Sequence, residues 1–147
     1  MRRQAALLLL LVAVISGAAR EETVADLKAR VATASAEDRS DLCVRIAQMQ
    51  LRAADKLYQD GHAEEARAAV EDVAAYAEKA RDAAIETRKR MKNVEIDVRK
   101  MSEKLRDIKR TLAFEDQPAV DQAIRRLEDV RTALLKQMFS DQKGKGK

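Results

Sequence analysis

The sequence predicts an all-α fold. The expected architecture is an elongated antiparallel helical bundle or coiled coil. It is built on one long central helix, about residues 62–113, with shorter helices at about 22–34, 37–59 and 118–139. Three observations predict it. The 147 residues hold one Pro and four Gly, with Ala, Leu, Val, Arg, Lys, Glu and Asp making up most of the rest, the composition of long helices. No period-2 apolar run bounded by turn residues occurs, so no strand is expected. Between residues 63 and 112 apolar residues recur at strictly alternating intervals of three and four, the sign of left-handed supercoiled packing.

The chain opens with MRRQAALLLLLVAVISGAAREE. Arg2 and Arg3 form a positive leader, Ala5 to Ile15 is unbroken apolar sequence, and Ser16-Gly17-Ala18-Ala19 supplies small residues. This is the layout of a secretory signal peptide, with cleavage expected after Ala18 or Ala19. A spanning helix needs about 20 apolar residues, so the run is short for a stable membrane span. No Cys stands near the junction to take a lipid. The predicted address is secreted or periplasmic, by the general secretory route. Removal of residues 1–19 takes the net charge from +4 to +2, and without Lys143, Lys145 and Lys147 the remainder stands at −1. The basic balance therefore belongs to the two ends. With two Tyr, two Phe and no Trp for stacking, nucleic acid is not an expected partner.

Residues 20–140 read as a single helical domain. The first helix starts at Thr23, where Thr23-Val24-Ala25-Asp26 resembles a capping box, and Val24, Leu27, Val31 and Ala34 form its stripe. Ser35 or Ser40 caps the second helix, unless the two helices are continuous. Leu42, Ile46, Met49, Ala53 and Leu57 lie on one face of it, widened by Cys43, Ala47 and Ala54. Asp60-Gly61 ends it, with Gly61 in the left-handed conformation that closes many helices.

From His62 to Ala113 there is no Gly or Pro. Fourteen of the fifteen seam positions are apolar, and only Thr87 breaks the run. A continuous helix would be roughly 78 Å long. Its first half is alanine-rich. Its second half is bulky: Met91, Val94, Val98, Met101, Leu105, Ile108 and Leu112 are the candidate interaction seam. Pro118 suits the first turn of the last helix, whose stripe is Val120, Ile124, Leu127, Val130, Leu134 and Met138. Residues 141–147, with no apolar side chain, are expected to be a disordered basic tail. The second and fourth helices together match the central helix in length, so each should fold back along one half of it. The first helix then completes a three-helix half, and the other half is a two-helix hairpin.

The central helix is polarised. Residues 60–87 carry eight acids and three bases, and residues 88–110 carry ten bases and four acids. Three readings stand together: solvated faces matched to the helix dipole, an antiparallel homodimer in which opposite halves meet, and a basic docking surface at Arg88, Lys89, Arg90 and Lys92. Cys43 is either a buried free thiol or an intermolecular disulfide in an oxidising compartment. A single His, at the start of a helix beside Gly61, offers no catalytic cluster. No enzyme activity, cofactor or metal is expected.

The segment ADKLYQDGHAEEARAAVEDV, residues 54–73, resembles a tetratricopeptide-type helical hairpin. Ala54, Gly61, Ala66 and Val70 occupy that family's small-residue and turn positions. The family's Trp and terminal Pro are missing, and no second copy follows. The resemblance covers about one seventh of the chain and implies an αα-hairpin and, by analogy, protein binding. The expected function is thus an exported, non-enzymatic interaction or scaffold module whose partner is another protein or a second copy. A periplasmic chaperone of unfolded clients, and a binder of anionic envelope polymers, are the alternatives.

Overall fold

Thr23 starts the first helix as a capping box. Its Oγ1 accepts from the Asp26 amide at 3.2 Å while its own amide donates to Asp26 Oδ2 at 3.0 Å. The computed structural model describes residues 20–144. The signal-peptide reading of residues 1–19 and the last three residues of the tail lie outside the described residues. Helix α1 is Val24–Val31 and α2 is Ala36–Gln59. Ser35, not Ser40, caps α2, accepting from the Asp38 amide at 3.2 Å. The two helices are therefore separate. Gly61 has φ +80°. The His62 amide reaches Leu57 O at 2.8 Å and the Gly61 amide reaches Tyr58 O at 3.1 Å, the paired bonds that close a helix around a left-handed residue.

The long central helix is not continuous. It divides into α3, Ala63–Thr87, and α4, Met91–Thr111. Arg88 and Arg90 both sit in the left-handed region, at φ 55° and 61°, and the chain reverses there. After α4, a 3-10 turn at Phe114–Asp116 leads into α5, Gln117–Gly144. Helix α5 runs past the expected end at Phe139, so residues 141–144 of the expected disordered tail are helical.

The ion pairs give the direction of each helix. Arg90–Asp41 at 2.7 Å and Lys104–Asp55 at 2.8 Å keep one sequence offset, so α4 runs parallel to α2 and antiparallel to α3. Arg67–Asp116, Arg126–Glu78 and Arg88–Asp141 set α5 parallel to α3. Glu95–Arg131, Arg106–Glu128 and Lys109–Asp121 set it antiparallel to α4. The main packing pairs are α2 with α3, α4 with α5, α3 with α5 and, more loosely, α2 with α4. The result is a four-helix bundle. It replaces both the expected spine and the expected two-helix half.

Helix α1 folds back on α2, as its length and stripe predict, and brings Leu27 against Leu42 and Ile46. The main core joins α2, α3, α4 and α5. The alanine-rich seam of α3 lies between two neighbours, and Ala66, Ala74, Ala77, Ala80 and Ala84 are all fully buried. Small side chains there let α2 approach closely enough for Ser40 Oγ to donate to Ala80 O at 3.4 Å. The described helices include none long and apolar enough to cross a membrane.

Candidate interaction surface

Thr87, the one polar residue in the seam, stands where α3 ends. Its hydroxyl donates to Ala83 O at 3.0 Å, with Ala84 O at 3.4 Å, and accepts from the Lys89 amide at 3.3 Å. The side chain thus satisfies groups that a continuing helix would have bonded itself. A non-glycine residue in the left-handed conformation costs roughly 1–2 kcal/mol. The reversal holds two such residues. Each base of the turn has an acid opposite it: Arg88 faces Asp141 at 3.5 Å, Lys89 faces Glu37 at 2.8 Å and Arg90 faces Asp41 at 2.7 Å. The sequence-predicted basic surface is therefore partly engaged within the chain. Lys92, on the first turn of α4, is exposed.

The candidate seam is internal. Met91, Val94, Val98, Met101, Leu105 and Ile108 are buried, and Leu112 is half-buried against the core. The physical reason is the reversal: α4 turns its apolar face onto α5 and α2 instead of leaving it for another chain. The opposite charges of the two halves are also answered within the chain. Glu71 and Glu78 of α3 bind Arg126, and Arg90 of the turn and Lys104, Arg106 and Lys109 of α4 find acids on α2 and α5. The exposure of Cys43 is 0%. Burial pushes its thiol up to about 11, so the closed fold does not present it for an intermolecular disulfide.

One end of the bundle is formed where α3 meets α4 and α5 terminates. A hollow of about 240 Å³ is lined there by Arg88, Met91, Met138, Asp141 and Gln142. Phe139, 61% exposed, follows in α5, with Lys143 one turn beyond. Among the described residues the other exposed large apolar side chain, Phe114 at 84%, is at the far end, in the turn between α4 and α5. A second hollow, about 340 Å³, opens between α2 and α4 among Gln48, Leu51, Arg52, Asp97, Lys100, Met101 and Lys104. Burial holds the Asp97 carboxyl above its usual range, reinforced by Asp41 and opposed by Lys100 and Arg90.

Several of these residues have no sequence signal. Glu37, Asp41 and Asp141 become partners of the basic turn only through the reversal. Ser102, fully buried, donates to Glu128 Oε1 at 2.7 Å, and Arg106 Nη2 donates to the same oxygen at 2.9 Å. The pairing of α4 with α5 places them together. The α2–α3 hairpin buries Ala54, Ala66 and Val70, the residues that carry the tetratricopeptide resemblance. Comparison of the chain with protein-family models, with curated proteins and with solved structures gave no match.

Proposed function

We propose that this chain is an exported, non-enzymatic helical module that binds a protein partner through the end of the bundle formed by Arg88–Lys92 and the end of α5. One observation carries the reading. The apolar seam is covered by the chain's own helices, while this end keeps a hollow lined by Met91 and Met138, with exposed Phe139 next in sequence and Lys92 and Lys143 exposed on the adjoining turns of α4 and α5. Methionine adapts its shape to a partner side chain, and an exposed aromatic ring surrounded by polar groups is a typical anchor for binding. Bases beside it favour a partner carrying acidic groups. An apolar groove for unfolded clients would require the bundle to open, because the seam that would line it is buried. Export rests on the leader at residues 1–19, whose Arg pair, apolar run and small residues supply the features that the secretory machinery reads.

The test has two arms. Residues 1–22 fused to a reporter active only outside the cytoplasm should deliver it, and a silent reporter would end the export reading. The purified protein and its Phe139→Ala and Lys92→Glu variants should then be compared as bait for envelope proteins. The proposal expects a partner retained by the natural chain and lost from Phe139→Ala, with both baits equally folded. Identical captures from all three baits would overturn it.

A further inference from the structure

We infer that the reversal at Arg88-Lys89-Arg90 is an exchange hinge, and that a second copy of this chain is a partner. Two copies would straighten the hinge and trade their α4–α5 hairpins. The inference goes beyond the proposed Phe139 surface, because the exchanged dimer is held by the contacts of α3 with α5 and of α2 with α4.

The argument begins with the conflict between sequence and turn. Residues 84, 87, 91 and 94 keep the seam spacing across the break. A straightened helix from Ala63 to Thr111 would therefore present one continuous apolar face. Nothing in Thr87–Met91 breaks a helix by its own chemistry, since Arg, Lys and Met are good helix formers. The turn instead places two arginines in a conformation natural to glycine. Straightening relieves both.

The second step is that little else is lost. The described residues form two antiparallel units, α1–α2–α3 and α4–α5, and the backbone passes between them through residues 88–90. The units meet through α3 on α5 and α2 on α4, with Arg126–Glu78, Arg67–Asp116 and Lys104–Asp55 across the boundary. In a two-fold exchanged dimer each of these contacts re-forms between copies. Exchange of identical elements is a low-cost route to a closed dimer, and short strained hinges favour it. The three ion pairs at the turn hold the closed monomer and set the barrier between the two forms.

The decisive experiment tracks one contact across the boundary and one inside a unit. Isotopically light and heavy chains are unfolded together, refolded at high concentration, fractionated by size, and treated with a carbodiimide that joins adjacent amines and carboxylates. Lys104 Nζ and Asp55 Oδ2, 2.8 Å apart, report the boundary. Lys109 Nζ and Asp121 Oδ1, 2.6 Å apart, report the interior of α4–α5. The expected result is a dimer fraction in which the Lys104–Asp55 link joins light to heavy chain while Lys109–Asp121 stays within one label. The double variant Arg88→Gly/Arg90→Gly suits the turn and weakens the straight helix, and should raise the dimer's dissociation constant about tenfold or more. A natural chain that stays monomeric after refolding at high concentration would overturn the exchange, even if it still captures another protein. So would a dimer whose Lys104–Asp55 links remain within one chain, which marks association through a different surface. The isotope arm uses the natural sequence and stands whether or not the glycine variant folds.

Discussion

A thiol and a carboxylate show what burial does to single residues here. Cys43 lies on the core face of α2, with its thiol pushed up to about 11 by loss of solvent. The thiolate is the reactive form. Native protein should therefore label with a thiol reagent at neutral pH only as fast as it opens, and addition of denaturant should make labelling immediate. Rapid labelling of the folded chain would contradict the burial. Asp97 is shifted in the same sense, a half-buried acid whose charged form burial disfavours more than Lys100 and Arg90 support it. Its carboxyl titrates higher in the folded state than in the unfolded chain, chiefly because burial disfavours the charge. For an acid shifted upward, the favourable contribution is present below the unfolded pKa and is lost as pH rises through the folded value. At pH 7 the ionised group is a net cost. Asp97→Asn should thus raise the melting temperature at pH 7, with the gain fading at acid pH. An unchanged melt at both pH values would show that Asp97 is well solvated in the hollow between α2 and α4.

At the scale of helices, packing of small against large decides the cost of substitution. Ala77 is fully enclosed between α3's neighbours, so Ala77→Leu should destabilise by about 1–3 kcal/mol through overpacking. Leu105 is fully buried on α4, and Leu105→Ala should cost about 2–5 kcal/mol in lost contacts and a cavity. Thermal or denaturant melts read both, and a neutral result at either site would contradict the four-helix core. These two residues also mark what was legible in advance. Their inward orientation follows from the three-four spacing, which depends only on helical geometry and holds on both sides of the break. Thr23, Gly61 and Pro118 announced their caps and turns through local chemistry. The reversal at Arg88–Arg90 had no such marker, because left-handed arginine is selected by tertiary packing and not by propensity. Only Thr87, the lone polar seam residue, hinted at it. Which candidate residues the closed fold encloses was hidden for the same reason. Whether Val98 faces a partner or the chain's own α5 depends on where α4 travels after residue 90. Because Val98 is in fact fully enclosed, Val98→Asp would bury an uncompensated charge and unfold the bundle.

The molecule as a whole is joined by charge as well as by its core. Arg126 of α5 grips Glu78 of α3 with two bonds, Nε to Oε1 at 2.7 Å and Nη2 to Oε2 at 2.8 Å, and reaches Glu71 at 2.6 Å through Nη1. Paired bonds of this geometry are stronger than a single exposed contact, although partial exposure screens them. The Arg126 guanidinium holds the Glu78 carboxyl below its ordinary range against the opposing effect of burial. Lys104 does the same for Asp55, across α4 and α2. For an acid shifted downward, the stabilisation is complete above the unfolded pKa, about 4 for Asp and Glu. It is lost as pH falls through the lower folded value. The boundary between the two helical units should therefore weaken below about pH 4, where these carboxylates take up protons. Arg126→Met keeps much of the side chain's apolar length while removing the pair. It should lower stability at pH 7 by about 1 kcal/mol, and less in high salt. As the pH is lowered the natural chain should lose that advantage, and the two melting curves should converge in acid. A constant gap between them from neutral to strongly acid pH would mean that Arg126 acts through packing alone. The α3–α5 boundary would then rest on its apolar contacts, with no contribution from the Glu71–Arg126–Glu78 pairing.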